Sequence, residues 1–369
     1  MTQLHVMLAA GGTGGHIFPA LALADALQKQ GHKVGLMTDK RGANLIRKQQ
    51  VSDLPLYVIS AASPFSGSVV KRLFALASLA VGFVQSLAIL LVKQPAGVIG
   101  FGGYPSAPPL LAAKILKKPA ALHEQNGRLG RANLWLADIS GHLWLSWPDS
   151  TPLPKKARII HTGLPVRVDF NAIPAYKAEP KDRLNLLVIG GSLGAAIFAK
   201  RLPEAIANLP APIQKRLHIT QQTRPEHIDE VSACYAETGI EADIAPFFTD
   251  MAEKMAKADV IISRAGASSV AEIAAAGRPA LFIPFAAALD DHQSANANQL
   301  ASKGGALMLS EKEAQTDKLG EMLTALLDQP DLRQRLADKA RTLHAAASLQ
   351  TMTDLAVQLA TSSNLKEAA

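Results

Sequence analysis

The stretch SRAGASSVAEIAAAGRPALFIPFAAALDDHQSANAN, Ser263 to Asn298, decides the fold. It follows an apolar run, Asp259-Val260-Ile261-Ile262, whose length and branched residues predict a buried strand. Gly266 breaks the run, and small residues open a helix through Ser269 to Ala276 that Gly277 and Pro279 end. A second apolar run, Ala280 to Phe285, reads as the next strand, followed by a polar loop with Asp290, Asp291, His292 and Gln293. Open α/β sheets bind ligands at such strand ends, and the free N–H groups of a helix start suit phosphate. Glu272, one turn in, would repel phosphate but accept two hydroxyls of a ribose; Gln293 and Asn296 can read sugar hydroxyls. Together these residues point to a nucleotide-sugar pocket. A plainer reading stands beside it. Ser269-Val270-Ala271-Glu272 matches the S-x-x-E capping box, in which Glu272 only closes its own helix.

Outward from this stretch, 369 residues with 48% apolar side chains can build two ordinary domains. A formal charge of +7 favours anionic partners: phosphates, nucleic acid or an acidic membrane surface. With 5% aromatics and no zinc-finger or RNP-type motif, nucleic acid is the weakest of these and is not expected as a partner. The single cysteine, Cys234, excludes an intrachain disulfide and a cysteine zinc cluster, and reads as a small buried residue on a helix. The opening MTQLHVMLAAGG has no basic n-region, so no signal peptide is expected and the compartment reads as cytoplasmic.

Leu4 to Ala10 reads as a strand, Gly11-Gly12-Thr13-Gly14-Gly15-His16 as the turn after it, and Pro19 suits the first turn of a helix running to Gly31. Strands at Val34–Met37, Leu56–Ile59, Gly97–Gly100, Ala120–His123 and Leu143–Ser146 continue a doubly wound α/β pattern. From Trp147 to Pro180 prolines accumulate and periodicity fades, which reads as a connection carrying a short strand at Arg158–His161. The alternation restarts with strand Leu184–Ile189, the turn Gly190-Gly191-Ser192-Leu193-Gly194 and helix Ala196–Asn208. Two Rossmann-like halves facing across a cleft are therefore expected: residues 1–165, residues 166–345, and a helix and tail over 346–369.

Neither Gly-rich turn is a dinucleotide fingerprint, since Ile17 stands where G-x-G-x-x-G wants a small residue, and no G-K-[ST] follows either. Glycine adopts positive φ without steric cost, so tight backbone geometry accounts for one such turn; two placed alike suggest a shared use. His16 at a helix entrance reads either as a capping histidine or as a base that takes a proton from a sugar hydroxyl. Two further polar clusters follow strands: Phe101-Gly102-Gly103-Tyr104-Pro105-Ser106 and His123-Glu124-Gln125-Asn126-Gly127.

GGTGGHIFPA, GFGGYPSAP, HEQNG, GLPVR, GGSLGA and SRAGASSVAEIAAAGRPALFIPF…DDHQSANA occur in this order. The combination resembles the MurG family of peptidoglycan N-acetylglucosaminyltransferases from about Leu4 to Asn298. The resemblance implies a GT-B fold and inverting transfer of N-acetylglucosamine from UDP-N-acetylglucosamine to lipid I, giving lipid II. It implies donor contacts at Thr13, Gly14, Gly15, Asn126, Arg167, Ser192, near Phe248, along Ala267, Ser268, Ser269, Val270, Ala271 and Glu272, and at Gln293. His16, Tyr104 and Glu124 match residues serving the acceptor or proton transfer, with His16 first choice as base and Glu124 second. Leaving-group charge falls to helix N-termini near Ser192 and Ser268 with Arg264 or Arg167. No cofactor and no metal are expected, since no D-x-D motif is present. Leu164, Phe248 and Ala286-Ala287-Ala288 depart from the family pattern. Another GT-B transferase or a UDP-sugar 2-epimerase would share the fold; a nucleotide-sugar-binding regulator is the reading outside enzymes.

Between Arg72 and Lys93 about 20 residues carry no charge, enough to span a bilayer. A single crossing would part strands that must share one sheet, so the segment reads as a crossover helix with a surplus apolar face. Lys71, Arg72 and Lys93 at its ends suit anionic headgroups. The expectation is peripheral binding to the cytoplasmic face of the inner membrane through Phe74, Leu79, Phe83 and neighbours, with cell-wall synthesis proteins as further partners.

Overall fold

The computed structural model describes residues 3–48, 54–63, 68–191, 195–287 and 291–367. The chain forms two compact units, Met1–Pro165 with Ala345–Ala369, and Val166–His344. The first is built on seven parallel strands: β1 His5–Ala9, β2 Lys33–Thr38, β3 Leu56–Val58, β4 Gly97–Gly100, β5 Ala120–Glu124, β6 His142–Leu145 and β7 Arg158–His161. Their order is β3-β2-β1-β4-β5-β6-β7. Val6 is flanked by Val34 on one side and Gly97 on the other. Strands buried on both faces need continuous apolar runs, and VMLA of β1 and GVIG of β4 supply them. The strand Arg158–His161 is not merely part of a connection: it pairs with β6 and closes the sheet edge, and its largely exposed residues explain why it lacks a core-strand pattern.

The sheet has a core on each face. One packs Leu8, Ile17, Leu23, Leu27 and Phe101 with Met352, Ala356 and Ala360, so the final helix Ser348–Glu367 covers the first sheet. The other packs Met7, Ile59, Leu90, Val98, Leu110, Leu122 and Leu136.

The second unit carries β8 Leu184–Ile189, β9 Leu217–Gln222, β10 Glu241–Ala245, β11 Val260–Ser263, β12 Ala280–Phe282 and β13 Leu307–Met308. These parallel strands run in the order β10-β9-β8-β11-β12-β13, the same winding as the first six strands of the other sheet. Its core joins Leu186, Val188, Phe198, Leu202, Ile262 and Leu281 to Leu319, Leu323 and Leu336 of the helices after β13. Cys234 lies on the helix Ile228–Glu237, but it is exposed rather than buried; Val231 and Tyr235 take the inward positions.

The helix Val69–Lys93 is long and apolar enough to cross a membrane by length and composition alone. Its inward stripe is Ala75, Gly82, Ser86 and Leu90, spaced as one helical face. Gln85 Oε1 accepts from the Ser60 N–H at 2.8 Å, which ties the helix to the loop after β3. Gly82 sits against the Ser60 carbonyl. The opposite face is bare: Phe74 is 73% and Val92 75% exposed, with Leu73, Leu76, Val81 and Val84 also open. Phe74 thus lies where expected. Leu79 and Phe83 do not, because each sits next to the inward stripe and is partly covered.

A Cβ at position 82 would collide with the Ser60 carbonyl oxygen and lie 3.4 Å from Pro108 Cγ. Backbone cannot yield as a flexible side chain does. Gly82→Ala should therefore destabilise the protein by about 1–3 kcal/mol, outweighing a helix-propensity gain of about 1 kcal/mol. Urea unfolding measures it; an unchanged or raised midpoint would contradict the close approach.

Candidate active site

In a sheet of this order the loops after β1 and β4 part at the carboxyl edge, and the loops after β8 and β11 do the same in the second unit. Gly11 to Gly15, Gly102-Gly103, Gly190-Gly191 and Gly266 lie on these loops or at the helix starts that follow them.

In the first unit the turn after β1 enters the helix Gly14–Lys29 with Thr13 as its N-cap. The Thr13 carbonyl accepts from the His16 and Ile17 N–H groups, both at 3.2 Å. Thr13 is exposed, and Gly14, Gly15 and His16 are half-buried. Asp39, just after β2, joins this turn to the next helix, Lys40–Lys48: its Oδ1 accepts from Gly12 N–H at 3.3 Å and from Gly42 N–H at 2.8 Å. The loop after β4 closes on the same place. Gly102 has φ +82°, and a Cβ there would lie 2.8 Å from Asn133 Nδ2 and 3.3 Å from His16 Cε1. Only glycine serves at such a position. Tyr104 follows, opening a short 3₁₀ turn to Ser106.

The loop after β5 completes the cluster. Glu124 is buried, and both its oxygens are engaged. Oε1 accepts from Asn126 N–H at 2.9 Å and Asn126 Nδ2 at 3.0 Å; Oε2 accepts from Asn133 Nδ2 at 2.7 Å. A carboxylate so occupied shapes its loop. His16 Nδ1 lies 2.8 Å from Gln125 Oε1. Beside Tyr104 lies an apolar cavity of about 320 Å³, lined by Leu76, Leu79, Leu111, Arg131 and Trp135 among others.

In the second unit the helix after β11 begins at Ala267, with Gly266 as N-cap and no side-chain cap. The capping-box reading fails on this start. Ser269 is already inside the first turn, because Gly266 reaches the extended N-cap conformation first. Ala267, Val270 and Ala271 are buried, anchoring the helix end. Ser268 Oγ is buried with no hydrogen-bond partner among the described residues. Glu272 lies on the same helix with little open surface. Burial lifts its carboxyl from the ordinary 4.5 to about 7, against the opposing charge of Arg167. Arg167 is exposed, its guanidinium 4.8 Å above the Phe170 ring.

Gln293 Oε1 accepts from Ala265 N–H at 3.2 Å and Phe285 N–H at 3.0 Å, tying together the loops after β11 and β12. Two earlier expectations change here. Asn296 is fully buried and donates to the Ala265 carbonyl at 3.0 Å, so it braces the loop instead of reading a sugar. Arg264 is also buried, with NH1 and NH2 each 3.1 Å from Glu311 and NH1 bonded to the Ile283 and Pro284 carbonyls. Its charge is neutralised in place by Glu311. Phe248 is half-buried beneath Lys254, 4.6 Å from the ring. Ser192 lies outside the described residues.

Residues 6–141 match the glycosyltransferase family 28 N-terminal domain, and residues 185–358 match the C-terminal domain. The UDP-N-acetylglucosamine--N-acetylmuramyl-(pentapeptide) pyrophosphoryl-undecaprenol N-acetylglucosamine transferase of Rhizobium johnstonii is 40% identical over 381 residues, spanning 100% of this chain and 98% of that one. The transferase of the same name from Acidiphilium cryptum is 41% identical over 95% of each chain. The crystal structure of Acinetobacter baumannii MurG superposes with a TM-score of 0.79 at 32% identity, covering 96% of this chain and 99% of that one. The chain belongs to the MurG family. Its fold is GT-B. CalG4, the calicheamicin glycosyltransferase, shares that fold at a TM-score of 0.69 with 15% identity. Within the MurG pattern, Gln125, Asn133 and Asp39 had no role from sequence. Gln125 stood inside a noted cluster; Asn133 and Asp39 are isolated polar residues, and only the folded loops show what they hold.

Because the folded protein binds the Glu272 proton more tightly than the unfolded chain does, wild-type stability should fall as pH rises from about 4.5 to about 7. Glu272→Gln removes this titration. Its stability relative to wild type should rise by roughly 2–3 kcal/mol between pH 5 and pH 8. Denaturant unfolding at the two pH values reads the difference; a pH-independent difference would contradict the buried carboxyl.

Proposed function

We propose that this chain transfers N-acetylglucosamine from UDP-N-acetylglucosamine to the C4 hydroxyl of N-acetylmuramate in a pyrophosphoryl-undecaprenol-linked pentapeptide, inverting the anomeric centre. End-to-end likeness to transferases of that name carries this reading. The chemistry is a single displacement. The C4 oxygen bonds to the anomeric carbon, its proton passes to His16 Nε2, and the bond from that carbon to the diphosphate breaks, its electron pair leaving with UDP. The start of the helix Ala267–Ala276, the Ser268 hydroxyl and Arg167 meet the diphosphate charge. Glu272 takes the ribose hydroxyls. Gln293, its oxygen spent on two backbone amides, offers its NH₂ to the sugar. In this reading Thr13, Gly14 and Gly15, beside His16, and Asn126, held by Glu124, contact the donor, and Tyr104 contacts the acceptor.

The acceptor is a lipid, so the enzyme works at a membrane surface. The bare face of Val69–Lys93, with Lys71 and Arg72 at one end and Lys93 at the other, suits peripheral docking on anionic lipid at the cytoplasmic side. The apolar cavity beside Tyr104 has that same helix as one wall, which supports a lipid-linked acceptor.

His16→Ala should lower turnover by about 10²–10⁴-fold with donor affinity kept. Glu272→Ala should weaken donor binding by roughly 1.5–3 kcal/mol in calorimetry. Near-normal turnover in the first variant, or unchanged affinity in the second, would remove that residue from its role.

Replacing Leu73 with Gln and Phe74 with Asp together should abolish co-sedimentation with anionic vesicles and leave activity on a water-soluble acceptor intact. Undiminished vesicle binding would place the docking surface elsewhere, and wild-type resistance to alkaline carbonate would indicate a true span.

A further inference from the structure

We propose that Gln125 and His123 are positioning residues that hold His16 in the one neutral tautomer able to act as a base at Nε2. The inference rests on the role given to His16 above, and every link in it is set by a group that can only accept or only donate.

The chain begins at the Gly163 carbonyl, 3.1 Å from His123 Nε2. A carbonyl only accepts, and the Ser146 hydroxyl, 3.4 Å from the same nitrogen, gives its hydrogen to the Glu124 carbonyl at 2.8 Å, so Nε2 carries the hydrogen. His123 is fully buried, and burial lowers its imidazolium to about 4, overriding the Gly163 bond that favours the charged form; the ring is neutral at physiological pH. A neutral ring protonated at Nε2 has a bare lone pair at Nδ1. Gln125 Nε2 stands 2.9 Å from that Nδ1 and 3.1 Å from the His123 carbonyl, two acceptors that both require the NH₂ end of the amide. The orientation of Gln125 is thus determined twice over. Its backbone is held too, because Trp147 Nε1–H donates to the Gln125 carbonyl at 3.1 Å.

With its NH₂ group turned to His123, Gln125 presents Oε1 to His16 Nδ1 at 2.8 Å. An amide oxygen only accepts, so His16 must carry its hydrogen on Nδ1. In the neutral ring Nε2 is then unprotonated. Free histidine in water prefers the opposite tautomer, with the hydrogen on Nε2, which cannot accept a proton there. The relay selects the minor form and aims its lone pair away from Gln125. It plays the part that a buried carboxylate plays behind a catalytic histidine, but with a neutral amide, so no negative charge is added behind the base.

The test uses the full-length protein labelled with ¹⁵N at histidine, in long-range ¹H–¹⁵N correlation spectra at a pH where the rings are neutral. The signals lost in His16→Ala assign His16 among the 10 histidines. The expected pattern is a protonated Nδ1 and an unprotonated Nε2. A protonated Nε2 in the wild-type protein overturns the proposal and needs no further variant. Gln125→Met keeps the bulk and removes the relay. It should lower kcat by about 10–100-fold, leave KM for the UDP-sugar within about twofold, and move the His16 signals toward the Nε2–H form. Lowered turnover with the tautomer unchanged also overturns the proposal. Normal turnover in His16→Ala would defeat the base assignment alone, since the wild-type tautomer is read independently of activity.

Discussion

An all-parallel sheet wound outward from its middle must reverse direction once, and at that reversal two loops part at the carboxyl edge. The rest of the structure depends on this constraint. It is met twice, between β1 and β4 and between β8 and β11. At the first, Gly102 lets the backbone pass close to both His16 and Asn133, and His16 meets Gln125. At the second, Gly266 starts a helix whose first turn holds Ser268 and whose second holds Glu272. The topology provides the opening; small residues keep it from filling.

Around each opening, polar side chains are divided between those held and those left available. Glu124, Asn296 and Arg264 look like ligand contacts by residue type, but each is buried and engaged by neighbours. Such groups would be costly to leave unpaired, and their bonds give the loops a defined shape. The groups that the proposed reaction draws on are fewer: the far nitrogen of His16, the Ser268 hydroxyl, unpartnered among the described residues, the amide end of Gln293, Arg167 and Glu272. Glu272 is counted here because its carboxyl, raised by loss of hydration against the charge of Arg167, is perturbed as functional acids commonly are.

How much of this was legible depended on range. Both sheets could be read, because core strands are continuous apolar runs and Gly-rich turns punctuate them. The strand Arg158–His161 could be seen but not placed, since an edge strand with exposed residues carries no burial pattern. The helix Val69–Lys93 was plain in length and composition, while its phase was not. The inward stripe is marked by Gly82 and Ser86, whose packing against Ser60 and the helix's own carbonyl is invisible without the fold. Individual site residues failed where a partner lay far off in sequence. Nothing local in Arg264 announces Glu311, and nothing in HEQN shows that His123 is pinned by Gly163. Ser269-x-x-Glu272 misled for the opposite reason, a local motif displaced by an earlier N-cap at Gly266.

Sugar transfer to a lipid-linked muramyl acceptor is the reaction on which the proposed roles of these residues depend. The most direct measurement incubates the purified protein with a panel of UDP-sugars and a short-chain pyrophosphoryl-prenol N-acetylmuramyl-pentapeptide, and identifies the products by mass and linkage. A product one N-acetylhexosamine heavier, β-1,4-linked and formed from UDP-N-acetylglucosamine in preference to the other donors, is the predicted result. An unmodified acceptor alongside an epimerised or intact UDP-sugar would contradict it.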